Sequence, residues 1–554
     1  MKIFNFILAT LITTTFVNAQ KNLDEKELYN RYPSDKIKQI EYKLGKREQL
    51  IAGPYVNEKG ESVMITLSKG KMGALQQLKV IIFNENFTAS TEKFIDIPQL
   101  KNEKPAMYDH FLKDNTLFLL LNVDIKSKTG SSRTIYAYKL DINTKKTIGS
   151  PKKIKELAYD KKGADTSSKL LFSNHKDFMA FAEANLNEEN RTTTVTYEVF
   201  AIENGEFVKQ YEQKDVEKHD EETKISRIRA FQALTNTMIL DNGAIIKRFN
   251  KFEKLKKEEK DNYLFTLSVI DENGKEDVDV NIDSYNMKDN QDFSFINYEI
   301  KSDEDLLYIG GTIEETSGFT KTDVVNKVFF LKYNLETLEK NIDKVYTIDD
   351  EFIKEGMSEK AVEKLEKKRK KKESKGKDTD IGFKDLKTID FVLNPEDGHL
   401  NIICEINYTY VTTNTYTDAN GVSHTTTTIH YKNFDIIVFN INSETGEMEW
   451  KRKILKTQSF TNTNIYNGFI YRINKEGELI FIYNDIAHTY TKGYNINMTI
   501  LSPDGFTTHY SLIRPEGKRS RVMNVGLSKI INDKIAQIYT VEKRDVEIFK
   551  VELP

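Results

Sequence analysis

From about residue 48 to Pro554 the chain alternates apolar and polar positions with a period of two, as half-buried strands do. One phrase recurs: a β-rich apolar run, a turn of Asp, Asn, Glu and Gly, then another strand. It occurs at Leu78–Phe87, Thr134–Thr144, Thr193–Gly205, Tyr263–Gly274, Val328–Thr337, Asp435–Gly446, Ile496–Gly505 and Val546–Leu553. The intervals are about 50–70 residues, with one longer gap. A second kind of strand with its own turn precedes each phrase, as in Asp114–Ile125, Asp303–Glu314, Glu396–Tyr408 and Glu476–Ile486.

Four strands per repeat at this spacing predict an all-β fold, a β-propeller of seven or eight four-stranded blades. A single blade cannot bury both of its faces, so stacking supplies the core. On this reading each strand exposes one face and buries the other between blades. The last repeat is short, and a strand around Ala52–Leu67 is expected to complete it. Two or three β-sandwiches are the competing arrangement.

The alternation fails in two places. At the N-terminus, Lys2 precedes the apolar run Ile3–Val17, and Val17-Asn18-Ala19 puts small residues before a cut at Gln20. That is the secretory pattern, so residues 1–19 are expected to be a signal peptide. The run is shorter than the ~20 residues of a membrane span, and no later segment is long and apolar enough to be one. The mature chain is therefore expected to lack a transmembrane segment and to reside in the periplasm, the outer envelope or outside the cell. Residues 20–47 are polar and are expected to form a short helix or linker, leaving 48–554 for the propeller. The second break, residues 350–384, has helical spacing at Phe352, Ile353, Met357, Ala361, Val362 and Leu365. It runs into Lys367, Lys368, Arg369, Lys370, Lys371 and Lys372. It reads as a helical, basic insertion in one loop.

Composition narrows the classes. Charged residues make up 30% of the 554 residues, yet the net charge is −3, which argues against nucleic acid as a partner. The single cysteine, Cys404, excludes an intrachain disulfide and a cysteine zinc site. It lies in an apolar run, as a buried thiol would. No nucleophile elbow, zinc-binding His-Glu-x-x-His, phosphate loop or dinucleotide glycine pattern is present. No cofactor or metal is expected. Catalytic residues are not assigned.

Two stretches are candidate binding surfaces. Residues 407–431, a Thr/Tyr-rich hairpin, turn at Asp418-Ala419-Asn420-Gly421. A two- or four-residue loop puts Tyr408, Tyr410, Tyr416, Ile429 and Tyr431 on one face. His424 and His430 then lie on the other with the threonines. Tyrosines with a polar rim make a good contact surface for a protein or glycan, or they pack on a neighbouring blade. Two histidines without a third ligand are a weak metal site. The run Lys367–Lys372 suits an anionic envelope polymer, or is simply a solvated helix end. A third stretch, Asp277, Asp279, Asn281 and Asp283, alternates along one strand face. Its spacing does not match a calcium loop, and a solvated strand is the simpler reading.

The segment Leu386–Ile454 resembles a group of uncharacterised exported proteins of Bacteroidota. The residues that carry this are a Thr/Tyr-rich hairpin with an Asp-Ala-Asn-Gly tip, leading into His430-Tyr431 and Asp435-Ile436. The likeness extends more loosely over Glu299–Asp485. It implies an exported, propeller-like architecture and no catalytic residue. The function expected is a binding or interaction module. The alternative is a propeller hydrolase or lyase with carboxylates in the central mouth as acid and base.

Overall fold

The structure is a computed structural model. It describes residues 29–69, 75–95, 106–126, 131–159, 166–173, 175–187, 190–218, 234, 237–253, 262–270, 276–281, 292–303, 306–316, 324–334, 337, 339–375, 381–419, 421–486, 494–514, 521–542 and 544–554. Residues 1–19 lie outside this set.

The described chain is nearly all β, arranged in eight sheets of four or five strands. It divides into two compact units, Leu44–Lys288 and a second made of Met1–Lys43 with Asp289–Pro554. Each unit holds four sheets. In the first, the sheets begin at Glu48, Ala106, Thr166 and Thr237. In the second, they begin at Asp292, Leu386, Phe469 and Lys529. Most neighbouring strands are antiparallel and follow chain order; the exceptions include Asn30–Arg31, which joins the seventh sheet by parallel pairing with Thr507–Ile513, and Ile37–Lys43, which joins the eighth.

The middle strands are buried on both faces, not on one. In the sixth sheet Ile402, Cys404, Ile437 and Phe439 pack against Tyr308, Val328 and Phe330 of the fifth. Ile403, Ile436 and Val438, pointing the other way, pack against Leu479, Phe481 and Tyr483 of the seventh. Ile480, Ile482 and Met498 continue the stack onto Ile538, Phe549 and Val551 of the eighth. The other unit repeats the scheme: Leu117, Leu119 and Leu121 face the first sheet, while Phe118 and Leu120 face the third. Two-sided burial explains why these strands read as continuous apolar runs where simple alternation was expected.

Two further expectations are corrected. The segment from Ile37 to Lys43 is neither helix nor linker: it is a strand pairing antiparallel with Asp545–Glu552 along its whole length. It completes the eighth sheet. The strands Glu48–Val56 and Ser62–Lys69 instead open the first sheet. The insertion holds a short helix, Asp350–Lys354, and a long one, Glu359–Glu373. The Asp349 carboxylate caps the short helix by accepting from the Phe352 N–H at 2.8 Å. Phe352 and Ile353 enter the core between the fifth and sixth sheets, with Leu365 of the long helix against them. No helix among the described residues is long and apolar enough to cross a membrane.

Candidate functional site

The sixth sheet carries the feature that sets it apart. Its two middle strands, Leu400–Thr417 and Ser423–Ile441, outrun their neighbours and continue as a two-stranded ribbon. The Asp418 N–H donates to the Val422 carbonyl at 2.9 Å, and the Gly421 N–H donates to the Asp418 carbonyl at 3.0 Å. The loop between Asp418 and Val422 therefore has three residues. Gly421 takes φ +80°, a left-handed conformation that closes such a loop as a bulge.

An odd loop changes the faces. Shifting the register by one residue moves the whole returning strand to the other side. Tyr410 lies directly opposite His430, and Tyr416 opposite His424. The histidines thus share the tyrosine face, contrary to the expectation from an even loop. Tyr431 and Ile429 move to the opposite face, beside Thr409 and Val411.

On the aromatic face Tyr410 and His430 stack at 4.4 Å between centroids, with 6° between planes. Tyr416 and His424 stack at 5.2 Å. Tyr408 stacks on Tyr410 at 6.2 Å and on Phe434 at 6.0 Å. Polar partners fix the histidines: His430 Nε2 is 2.9 Å from the Thr412 hydroxyl, and His424 Nε2 is 2.9 Å from Asp418 Oδ2. The two rings are six residues apart on one strand, about 20 Å, so they do not share a metal ion. Exposure rises outwards: Tyr408 and Tyr410 are half-buried, and Tyr416 is 57% exposed.

Beneath the ribbon lies a polar network that the sequence reading missed. Lys456, fully buried, donates to Glu405 Oε1 at 2.5 Å. Asn433 and Asn407 donate to the other oxygen at 2.6 and 3.1 Å. The Lys456 N–H donates to Asp435 Oδ1 at 3.2 Å, and the Thr457 N–H to Asp485 Oδ1 at 2.8 Å. Two successive amides thus tie the sixth sheet to the seventh. Burial raises the pKa of both carboxyls, that of Asp485 to about 7. A signal was present in the sequence: Asp435-Ile436 and Asp485-Ile486 set an acidic residue in each of two apolar strands.

A second polar group sits where first strands of successive sheets run side by side. Lys301 Nζ is 2.9 Å from Asp390 Oδ1, and the Tyr471 hydroxyl donates to Asp390 Oδ2. Burial and the Asp390 charge push the Tyr471 phenol well above its ordinary range. A register shift between Thr388 and Asp390 marks a bulge at this point. A cavity of about 220 Å³ opens elsewhere in the same unit, lined by Tyr466, Arg521, Thr540, Glu542, Asp545 and Glu547. Glu547 accepts from Arg521 Nε at 3.0 Å.

The basic run divides. Arg369 donates to Asp350 at 2.7 Å, while Lys367, Lys368 and Lys370 are exposed. Cys404 is fully buried, and burial pushes its thiol up to about 12. Asp277, Asp279 and Asn281 lie on the strand Glu276–Asn281; their side chains, and all of Asp283, fall outside the described residues. In the first unit His175, Asp177 and Asp241 bring ligand atoms within 4.8 Å of one another. Lys113 already pairs with Asp177 at 2.7 Å, and His175 is exposed.

No family model matches the chain, and no curated protein does. Solved structures similar to it include the WD40 domain of SCAP from fission yeast, at TM-score 0.30 and 10% identity, covering 95% of this chain and 97% of that one. The β-propeller domain of the Trilobed protease from Pyrococcus furiosus gives TM-score 0.31 and 10% identity over 81% and 93%. Polysaccharide lyase Uly1 gives TM-score 0.30 and 10% identity over 91% and 90%.

Proposed function

We propose that the chain is an exported β-propeller whose eight sheets are its blades, and that it acts as a binding module for a protein, glycan or surface polymer. The two-sided burial of middle strands and the pairing of Ile37–Lys43 with Asp545–Glu552 support the architecture. The signal-like residues 1–19 support export. The observation that carries the binding reading is the ribbon. It extends past its sheet and presents Tyr408, Tyr410 and Tyr416 with two stacked histidines. Flat aromatic rings with hydroxyl rims supply contact area at low cost in side-chain entropy. Exposed Lys367, Lys368 and Lys370 would add attraction to an anionic polymer.

The test is binding of the purified chain to arrayed glycans and peptides, followed by titration calorimetry on the best binder. Replacing Tyr410 and Tyr416 together by alanine should abolish the signal; undiminished affinity would discard this surface. A hydrolase or lyase reading is favoured by one feature, the Lys301–Asp390–Tyr471 group. Chain cleavage of a polysaccharide that is lost in both Asp390→Asn and Tyr471→Phe would move the function there.

A further inference from the structure

Several described outer strands carry rows of charge. The outer strand of the sixth sheet, Met448–Ile454, carries Glu449, Lys451, Arg452 and Lys453. The outer strand Glu206–Lys218 carries Glu206, Lys209, Glu212, Lys214, Asp215, Glu217 and Lys218. Such charges keep an open strand from pairing with another chain. The rising strand of the ribbon has none. From Tyr408 to Thr417 it reads Tyr-Thr-Tyr-Val-Thr-Thr-Asn-Thr-Tyr-Thr, without charge, proline or glycine. Its pairing with Leu386–Leu393 stops at Ile406, and the Asn407 N–H takes the last bond, to the Asp385 carbonyl. Beyond that, no described strand covers this side. About 33 Å of strand edge, rich in β-branched and aromatic residues, is left open.

We propose that this edge pairs with the same edge of a second copy, forming a two-fold symmetric dimer through a continuous four-stranded ribbon. This goes beyond the binding reading, because it uses the strand's edge and not its aromatic face. Self-pairing is the use that an uncharged edge favours. Antiparallel pairing about a two-fold axis sets each residue against one from the same strand, so a charged edge would tend to meet its own sign. Centred on Thr413, the register sets Thr413 against Thr413 and Val411 against Thr415. It also sets Tyr410 against Tyr416 of the second copy, twice. A two-fold axis normal to the sheet keeps both aromatic faces on one side, so the dimer presents a doubled row of rings.

Sedimentation velocity on the purified chain across the micromolar range tests this. A dimer is expected, and a chain that stays monomeric throughout overturns the proposal. Thr413→Lys places two ammonium groups against each other at the axis and should weaken association by about tenfold or more. Thr413→Val should not. A dimer indifferent to Thr413→Lys uses another surface, which also overturns it. Because Thr413 is exposed, both variants should keep the wild-type unfolding transition. In a third variant, Thr413→Cys, an added oxidant should cross-link two chains, whereas Thr417→Cys should not. Buried Cys404 does not compete. Thr413→Lys keeps every aromatic ring, so measuring ligand binding by that variant beside its assembly state lets either idea fail while the other stands.

Discussion

The strand Leu400–Thr417 is two structures end to end. From Leu400 to Glu405 every residue is buried, with Ile402 and Cys404 in one core and Ile403 in the next. From Tyr408 outwards the same strand has one partner among the described strands, and most of its side chains are exposed. The first half is stabilised by area removed from water on both faces. The second half is held by ladder hydrogen bonds, ring stacking and the Gly421 turn. A two-stranded ribbon is marginal by itself, so its length is poorly explained by stability. That contrast is the reason to place function there.

The largest effect should come from breaking the charge pair at the junction. Lys456→Ala leaves Glu405 buried at 2% exposure without its cation. The expected loss is about 3–5 kcal/mol, read from chemical denaturation. Lys456→Met combined with Glu405→Leu should recover most of it, because removing both charges also removes their desolvation cost. If the single variant unfolds at the wild-type midpoint, the network is not what joins the two halves.

A pH series sharpens the same junction. Burial raises the Asp485 carboxyl to about 7, whereas an unfolded aspartate titrates near ~3.9. Between those values the folded state holds a proton that the unfolded state has released. Stability must therefore fall as pH rises from about 4 to about 7 and level off above. The full shift corresponds to roughly 4 kcal/mol at 1.36 kcal/mol per pH unit. Asp485→Asn keeps an acceptor for the Thr457 N–H and cannot ionise. Its melting temperature relative to wild type should climb across that window, and a constant difference would refute the assignment.

These junction residues also show what could be read in the sequence. The apolar runs reported the sheets, because burial on two faces writes itself directly into composition. The strand Ile37–Lys43 was not legible. Ile37, Ile40 and Tyr42 do not alternate, and its partner, Asp545–Glu552, lies at the far end of the chain. The hairpin was legible in place but not in face, since one residue of loop length decides it and both even and odd loops accept Asn-Gly. The Glu405–Lys456 and Asp390–Tyr471 contacts join residues far apart in sequence, so no local spacing reports them.

A milder perturbation should separate the two halves. Gly421 sits at φ +80° with nothing within 4 Å of an added Cβ, so Gly421→Ala strains the backbone without a clash. The expected cost is ~1 kcal/mol. It should be confined to the ribbon: amides of residues 408–429 should exchange faster, and those of 400–405 should not change. Acceleration in both halves would mean that they open as one unit.

The smallest effect on stability is expected where the effect on binding is largest. Tyr416 is 57% exposed and meets little beyond the His424 ring, so Tyr416→Ala removes one stacking contact and almost no buried area. The global midpoint should move by less than about 0.5 kcal/mol. Phe439, fully buried in the same sheet, should cost ~3–5 kcal/mol on replacement by alanine. An aromatic residue that costs nothing to remove is kept by something other than the fold. If Tyr416→Ala instead destabilised the chain as Phe439→Ala should, the ribbon would be part of the core's support, and its exposed rings would need no ligand to explain them.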